Sequence, residues 1–534
     1  MLRRREFLLL DALGALIALL AVLARLPVLR APVNMYDEGL LLGISNLVLH
    51  GGVVFRDAYS NYPAGIYLVI AGLWKAFGVS LLAVRLLGLA LQMGLAAMTG
   101  RLAGRIVGAP ICLLPAGVAL AWIRALELIP FAWLAGLLLL LVAIELALAA
   151  LHADDRRRWI AAGVAFAGVS YFRHDLFVYA SAAFAPLVVL PQGWLRRLGA
   201  PHPLRTRAAL AGLIALAIAL AVFWIPAFAV SGVHPMVDDL FFDAVKYVAP
   251  ARHGGFPALF PLVPSSLGVR VPRFLVARYE GAVMLGVAAP LLAAALVVVL
   301  ARRRRAGAGA VAALLLGLAT LAILPQLLGR TDTNHALYCV APGIALANAL
   351  LETLARLIPW RAAALAALVA GALVLANPVY QRIWPVPAVL LPRADPRSSV
   401  VTPHLGRIAE LDPGLAAARQ AVITFVGASA GPGEPVFFGN FSHERVDVNE
   451  AGLYFLVDHP AGTRYYHFDP GIVDRPEVQR QMIAELERRA VKVVVLSSRV
   501  TGPRPGGSLL DRYLAQHFPQ HAAAGPYSLR LRAP

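Results

Sequence analysis

Residues 34–67 read NMYDEGLLLGISNLVLHGGVVFRDAYSNYPAGIY, the first long polar break after an apolar run of membrane length. The stretch concentrates carboxylates and aromatics. Behind Asp37 and Glu38, apolar residues recur at helical spacing (Leu40, Leu41, Ile44, Leu47, Val48), and Gly51-Gly52 ends the pattern. This predicts a short amphipathic helix lying on a membrane surface. A second acidic element follows, Phe55-Arg56-Asp57, and then a cluster of Tyr59, Tyr62, Pro63 and Tyr67. Such aromatic clusters are enriched at the bilayer interface. Two acids are therefore expected near the headgroups, and an active site is expected here if the chain has one.

The composition around this stretch is that of an integral membrane protein. Of 534 residues, 59% are hydrophobic and 15% charged, and the mean hydropathy is +0.71, too apolar for an ordinary soluble chain. The net charge of +18 raises nucleic acid as a partner. Most arginines, however, stand in short clusters between apolar runs, where they fix topology, so no nucleic-acid partner is expected. The first apolar run continues to Leu29 without a small-residue cleavage site and predicts an uncleaved span. Cys112 and Cys339 fall in expected spans and give neither a disulfide framework nor metal-ligand spacing.

About eleven spans are expected, near 7–29, 79–100, 106–123, 127–151, 158–172, 175–191, 208–230, 280–300, 307–328, 336–356 and 361–377. The basic clusters Arg3-Arg4-Arg5, Arg101 with Arg105, Arg156-Arg157-Arg158, Arg196-Arg197, Arg302 to Arg305, and Arg356 with Arg361 fall in alternate loops. The positive-inside rule then puts the amino terminus in the cytoplasm and everything after about residue 378 outside. The outer loops are left with Asp37, Glu38 and Asp57, Arg173-His174-Asp175, the segment 231–279, and Arg330 to His335. Acids, histidines and arginines thus gather on one face, and chemistry is expected there rather than at the midplane.

The fold class expected is a polytopic α-helical membrane protein with a small extracytoplasmic α/β domain. The membrane domain runs over 1–393, with its first outer loop at about 30–78, and the α/β domain over 394–534. In the latter, PVFFGN, TRYYHF, VKVVVLSS and PYSLRLR read as strands, alternating with helical patterns near 413–426, 449–458, 475–489 and 508–518. It contains no GxGxxG or GxxxxGK[ST], and so no nucleotide signature.

A first outer loop opening on Asp-Glu, a second acid before Tyr-Pro-x-x-x-Tyr, many spans and a soluble carboxy-terminal domain together resemble the GT-C glycosyltransferases. The likeness is to the bacterial branch of the protein O-mannosyltransferases and the lipid A aminoarabinose transferase. The motif-bearing similarity covers about residues 1–180. The resemblance implies an enzyme, a hexosyl- or pentosyltransferase, that moves a sugar from a polyprenyl-phosphate donor to an acceptor on a lipid, glycan or protein, in the cytoplasmic (inner) membrane of the cell envelope. It also implies that Asp37 acts at the catalytic centre, with Glu38 beside it and Asp57 as the second acid.

The residue types suit that chemistry. A lipid-phosphate sugar carries a good leaving group, so the protein must supply a base for the incoming hydroxyl and cations for the developing phosphate charge. A carboxylate partly desolvated at the interface is the better base, which fits Asp37. Arginine forks match phosphate oxygens, and Arg173, Arg330 and Lys246 are the outer candidates, with His174 and His335 as further donors and Asp175 and Tyr62 as neighbouring substrate contacts. Asp37, Glu38, Asp57 and His174 would also form an oxygen-rich divalent-metal set; the expectation is nonetheless metal-independent, inverting transfer without a cofactor. Each residue has a structural alternative: Asp37 as a helix N-cap, Asp57 as a turn carboxylate, Arg173-His174-Asp175 at the headgroups and Arg330 to His335 as a polar hairpin. The rival function is a transporter or flippase for a lipid-linked saccharide, but the chain shows none of the repeat symmetry or midplane polar residues such proteins carry.

Overall fold

A computed structural model describes residues 2–123, 128–189, 207–252, 256–264, 270–273, 278–302, 307–329, 340–355, 399–446, 448–502, 504 and 506–533. In chain order the helices are α1 (Leu2–Leu23), α2 (Asp37–Leu49), α3 (Gly65–Phe77), α4 (Leu81–Val107), α5 (Leu113–Ile123), α6 (Ala132–Ala153), α7 (Arg156–Phe172), α8 (His174–Val189) and α9 (Arg207–Ser231). A helical segment over 233–252 follows, then α10 (Arg278–Arg302), α11 (Gly307–Gly329), α12 (Ala341–Ala355), α13 (Pro413–Ser429), α14 (Gly452–Val457), α15 (Pro476–Arg488) and α16 (Leu509–His517). The described residues fall into two compact units, Met1–Val28 with Leu86–Ile225 and His253–Leu391, and Leu29–Arg85 with Pro226–Arg252 and Pro392–Pro534.

The first unit is a helix bundle of a multi-pass membrane protein. Ten of the eleven expected spans coincide with described helices, and 361–377 lies outside the described residues. Among the described residues six helices are long and apolar enough to cross a bilayer, near 10–30, 81–107, 132–153, 207–231, 279–300 and 309–327. One boundary differs from the sequence reading: α4 runs on to Val107 and α5 begins only at Leu113. Gly108, at φ +78°, and Pro110 break the helix between them. Charges inside the unit are paired, as a low-dielectric interior requires. Asp11 on α1 accepts the Leu113 N–H (2.8 Å) at the first turn of α5. Arg25 is 1% exposed and donates to Gln92 Oε1 (2.8 Å) and to the carbonyls of Ala21 and Leu120 (2.6 Å each). Arg105 forks onto Glu145 at 2.7–3.0 Å, with Arg101 Nε on the same carboxylate at 3.0 Å.

The first unit carries one short antiparallel pair, β1 (Leu262–Pro264) with β2 (Arg270–Pro272); the second carries another, β3 (Ser399–Thr402) with β4 (Gly406–Ala409), and a four-stranded sheet in the order β5 (Val436–Asn440), β6 (Val493–Ser497), β8 (Tyr527–Leu531), β7 (Gln520–Ala524). β5 and β6 are parallel, and β6, β8 and β7 are antiparallel. The parallel pair β5 and β6 is buried on both faces, and accordingly VFFGN and VVVLS show no alternation of polar and apolar residues. Helices α13, α15 and α16 lie near their expected places. Asp412 caps α13 through the N–H groups of Gly414 and Leu415, and Ser508 with Asp511 forms a capping box on α16.

Two local expectations are corrected. TRYYHF is not a strand: its backbone bends, and the Tyr466 N–H turns back onto the Arg464 carbonyl at 3.2 Å instead of joining a ladder. The helix behind Asp37 is not amphipathic in its packing. Every residue from Glu38 to Ser45 is buried, because α3 covers one side and α14 the other.

Candidate active site at the Asp37 turn

Arg85, the fifth residue of α4, organises the turn that leads into α2. Its Nε meets Glu38 Oε1 at 2.9 Å and its Nη2 meets Oε2 at 3.0 Å, while Nη1 donates to the carbonyls of Leu29 (3.1 Å) and Ala31 (2.7 Å) and Nη2 to that of Pro32 (3.0 Å). Both side chains are 2% exposed. Glu38 Oε2 also accepts the Asn34 N–H at 3.0 Å, and Asn34 Oδ1 accepts the Tyr36 N–H at 2.9 Å. The Glu38 carboxylate is thus spent on folding residues 29–38.

Asp37 is placed differently. It is the first residue of α2, behind Tyr36 at the cap position, and its side chain caps nothing. It is half-buried, and no described residue makes a hydrogen bond or ion pair with its carboxylate.

The carboxy-terminal segment reaches this turn within the same unit. Gly452 donates its N–H to Met35 O at 2.8 Å. A Cβ on Gly39 would stand 2.3 Å from Gly452 N, so glycine at both positions permits the backbone approach. Glu450, two residues earlier, is 2% exposed and accepts from Arg419 Nη2 (3.0 Å), Arg499 Nη1 (3.2 Å), Ser497 Oγ (2.6 Å) and Tyr527 OH (3.3 Å). Burial, and then the Glu450 charge, push the Tyr36 phenol up, with Arg499 and Arg419 opposing.

The other sequence candidates are distributed as follows. Asp57 closes its own turn, accepting the Val53 N–H (2.8 Å) and Arg56 Nη2 (2.7 Å). Burial would raise its pKa, but these bonds outweigh it and hold the carboxyl below its usual range. Tyr62 donates its N–H to Ser60 Oγ at 3.1 Å, and the Ser60 hydroxyl meets Tyr67 OH at 3.0 Å. Lys246 is exposed on the segment 233–252, with its ammonium 5.0 Å from the Tyr247 ring centre. In the first unit, Arg173 forks onto Asp175 (Nε–Oδ1 2.8 Å, Nη2–Oδ2 2.5 Å) and lies 4.9 Å over the Trp133 ring, and His174 starts α8 between them. Arg330 and His335 lie outside the described residues. Among the described residues no three of His, Cys, Asp and Glu are grouped to hold a metal.

No protein-family model and no curated protein matches this chain. Among solved structures it is similar to ArnT from Cupriavidus metallidurans bound to undecaprenyl phosphate, with a TM-score of 0.53 at 14% identity over 98% of this chain and 99% of that one. The chain has the ArnT fold. ArnT in the apo state gives a TM-score of 0.52 at 15% identity over 98% of both chains. ArnT is the lipid A aminoarabinose transferase, a GT-C enzyme, so the fold resemblance drawn from the first outer loop holds over nearly the whole length.

Arg85, Glu450, Arg419 and Arg499 are neighbours of the site that the sequence reading did not assign to it. Arg85 carried a signal: an arginine inside an apolar run demands a carboxylate partner, and the Asp37-Glu38 pair stood across one loop. Glu450 carried none, being more than 400 residues away in the chain.

Proposed function

We propose that this protein is an inverting glycosyltransferase that moves one sugar from a polyprenyl-phosphate carrier to an acceptor hydroxyl, with Asp37 as the base. The observation that carries the reading is the division of labour in the Asp-Glu pair. Glu38 is locked to Arg85, whereas Asp37, at a helix start, has no partner for its carboxylate among the described residues. A carboxylate that need not break another contact is available to accept the proton of an incoming hydroxyl. The ArnT fold supports a lipid-linked donor, since a solved ArnT holds undecaprenyl phosphate.

In the reaction the acceptor oxygen attacks the anomeric carbon, its proton passes to Asp37, and the bond from that carbon to the phosphate oxygen breaks. The polyprenyl phosphate leaves with the bonding pair. Displacement from the face opposite the phosphate inverts the anomeric centre. In this reading, which the alternating basic clusters support, the amino terminus is cytoplasmic and this turn faces the outer side of the cytoplasmic membrane. Arg173, Lys246, Arg330, His174 and His335 remain candidates for the phosphate, and Asp57, Asp175 and Tyr62 for substrate positioning.

The test is transfer by purified protein from a panel of radiolabelled polyprenyl-phosphate hexoses and pentoses to an envelope extract. The donor that gives labelled product identifies the sugar, and fractionating the product into lipid, glycan and protein identifies the acceptor. Movement of intact lipid-linked sugar across a vesicle membrane without transfer would replace this reading with the transporter.

A further inference from the structure

Arg499 stands two residues beyond the carboxyl end of β6, the strand that runs parallel to β5. The crevice outside the carboxyl ends of parallel strands is where open α/β sheets bind their ligands. The turn that carries Arg499 is pinned to its surroundings. Ser498 donates its N–H and Oγ to the Pro526 carbonyl at 3.0 and 3.1 Å, the Gly502 N–H meets the Ser498 carbonyl at 2.9 Å, and the Arg499 N–H meets Ser497 Oγ at 3.3 Å.

The Arg499 guanidinium is spent on one side only. Its Nη1 donates to Glu450 Oε1 at 3.2 Å, and neither Nε nor Nη2 makes a hydrogen bond among the described residues. Those two nitrogens form the side-on edge whose parallel N–H groups match two oxygens of one carboxylate or phosphate. Arg85 lays that edge on Glu38, and Arg173 lays it on Asp175. In Arg499 it is open. The side chain is 33% exposed, whereas those of its cluster neighbours Glu450, Arg419 and Glu410 are 1%, 4% and 7% exposed. The charges of these four residues balance, but the face they turn to solvent is positive.

This cluster adjoins the Asp37 turn within the same unit. Glu450 precedes Gly452 by two residues, and the Gly452 N–H meets Met35 O at 2.8 Å, directly before Tyr36 and Asp37. Tyr36 is half-buried, and its hydroxyl makes no hydrogen bond among the described residues. Burial, and then the Glu450 charge, raise its pKa, so the phenol stays protonated and able to donate at neutral pH. Displacement with inversion puts the leaving phosphate on the far side of the anomeric carbon from the base. Donors gathered beside the base therefore meet the acceptor and not the donor phosphate.

We propose that Arg499, with the Tyr36 hydroxyl, binds a phosphate or carboxylate carried by the acceptor and so delivers the acceptor hydroxyl to Asp37. Resting on the transferase reading above, this assignment makes the acceptor an anionic molecule. Glu450 is the positioning residue: it holds Nη1 and leaves the Nε–Nη2 edge facing outward.

The test has a binding arm and a kinetic arm, both on the full chain in detergent. Inorganic phosphate is the probe of the first, read by broadening of its phosphorus resonance while saturating undecaprenyl phosphate occupies the donor site. Broadening by wild type is expected to be lost in Arg499→Gln and partly kept in Arg499→Lys, because lysine retains the charge but not the fork. An unchanged unfolding temperature checks that both variants are folded. The kinetic arm measures transfer from the active donor to an envelope extract. The apparent acceptor KM is expected to rise about 10-fold to 100-fold in Arg499→Gln, the worth of one charge-assisted contact, with the donor KM unmoved. Treating the extract with alkaline phosphatase, or amidating its carboxylates, is expected to reproduce that rise in wild type, and the effective treatment identifies the anion. Equal broadening by wild type and Arg499→Gln overturns the proposal. A rise in donor KM in place of acceptor KM also overturns it, by putting Arg499 on the carrier phosphate. Phosphate binding through Arg499 without transfer from any donor overturns the acceptor role together with the transferase reading, whereas normal acceptor KM in an active Arg499→Gln enzyme overturns the acceptor role alone.

Discussion

Arg85 grips Glu38 with two nitrogens, at 2.9 and 3.0 Å, and spends its remaining donors on the carbonyls of Leu29, Ala31 and Pro32. One buried cation therefore fixes both the start of α2 and the loop before it. Truncating either partner leaves an uncompensated charge at a site 2% exposed, and removal of one member of a buried pair costs about 3–5 kcal/mol. Glu38→Ala and Arg85→Ala are each expected to lower the unfolding temperature in detergent sharply. Replacing both by Met is expected to cost much less, because no charge is stranded. Equal loss in the double variant would contradict a charge-pair role.

The Gly39–Gly452 approach gives a second test. A methyl group on Gly39 would meet Gly452 N at 2.3 Å, against backbone that has no rotamer to escape into. Gly39→Ala is expected to destabilise by about 1–3 kcal/mol, the usual cost of overpacking. Ala at Gly72 on α3, where a Cβ meets nothing within 4 Å, is the control and is expected to be near neutral. Thermal unfolding of the two variants side by side measures the difference.

Asp239 makes a pH prediction. Burial pushes its carboxyl up to about 8, although Arg464 opposes, while its ordinary value is 3.8. Between those values the folded state holds a proton that the unfolded chain has released. An excess of protons on the folded state means that stability falls as pH rises, here from about 4 to about 8. Asp239→Asn is expected to flatten that part of the profile of unfolding temperature against pH. An unchanged slope in the variant would assign the pH dependence to another group.

Metal dependence is tested by chelation. Glu38 is held by Arg85 and the Asn34 N–H, and Asp57 by Arg56 and the Val53 N–H, so neither carboxylate is free to take up a cation without breaking its turn. Transfer is expected to be unchanged by EDTA. Loss of activity that magnesium or manganese restores would show that Asp37 recruits a metal through groups other than these.

How far the chain could be read beforehand follows from the range of the forces involved. The spans were legible because an apolar run reports its own burial, and the end of α2 because Gly51, at φ +89°, follows it closely. β5 and β6 were legible from their Val-Phe-Phe and Val-Val-Val runs, and β8 from the alternation Tyr-Ser-Leu-Arg-Leu. β3, β4 and β7 were not: SVVT is only four residues long, and GRIA and QHAAA take their strand form from pairing rather than from composition. TRYYHF misled because aromatic content signals a strand, whereas here Tyr59 stacks on Tyr465 at 5.4 Å and holds the segment irregular. At the site, the Asp-Glu pair was visible, but which member was free was decided by Arg85, 47 residues from Glu38. The contribution of Glu450 and Gly452 depended on contacts no local pattern encodes.

The central claim is that Asp37 takes the acceptor proton while Glu38 only builds the turn. The most direct measurement is single-turnover transfer by wild type and Asp37→Asn, with the active polyprenyl-phosphate sugar and at matched unfolding temperature. The account predicts a folded Asp37→Asn variant that binds donor normally and transfers about 10²-fold more slowly or worse, as loss of a general base generally costs. Transfer at the wild-type rate by Asp37→Asn would contradict it.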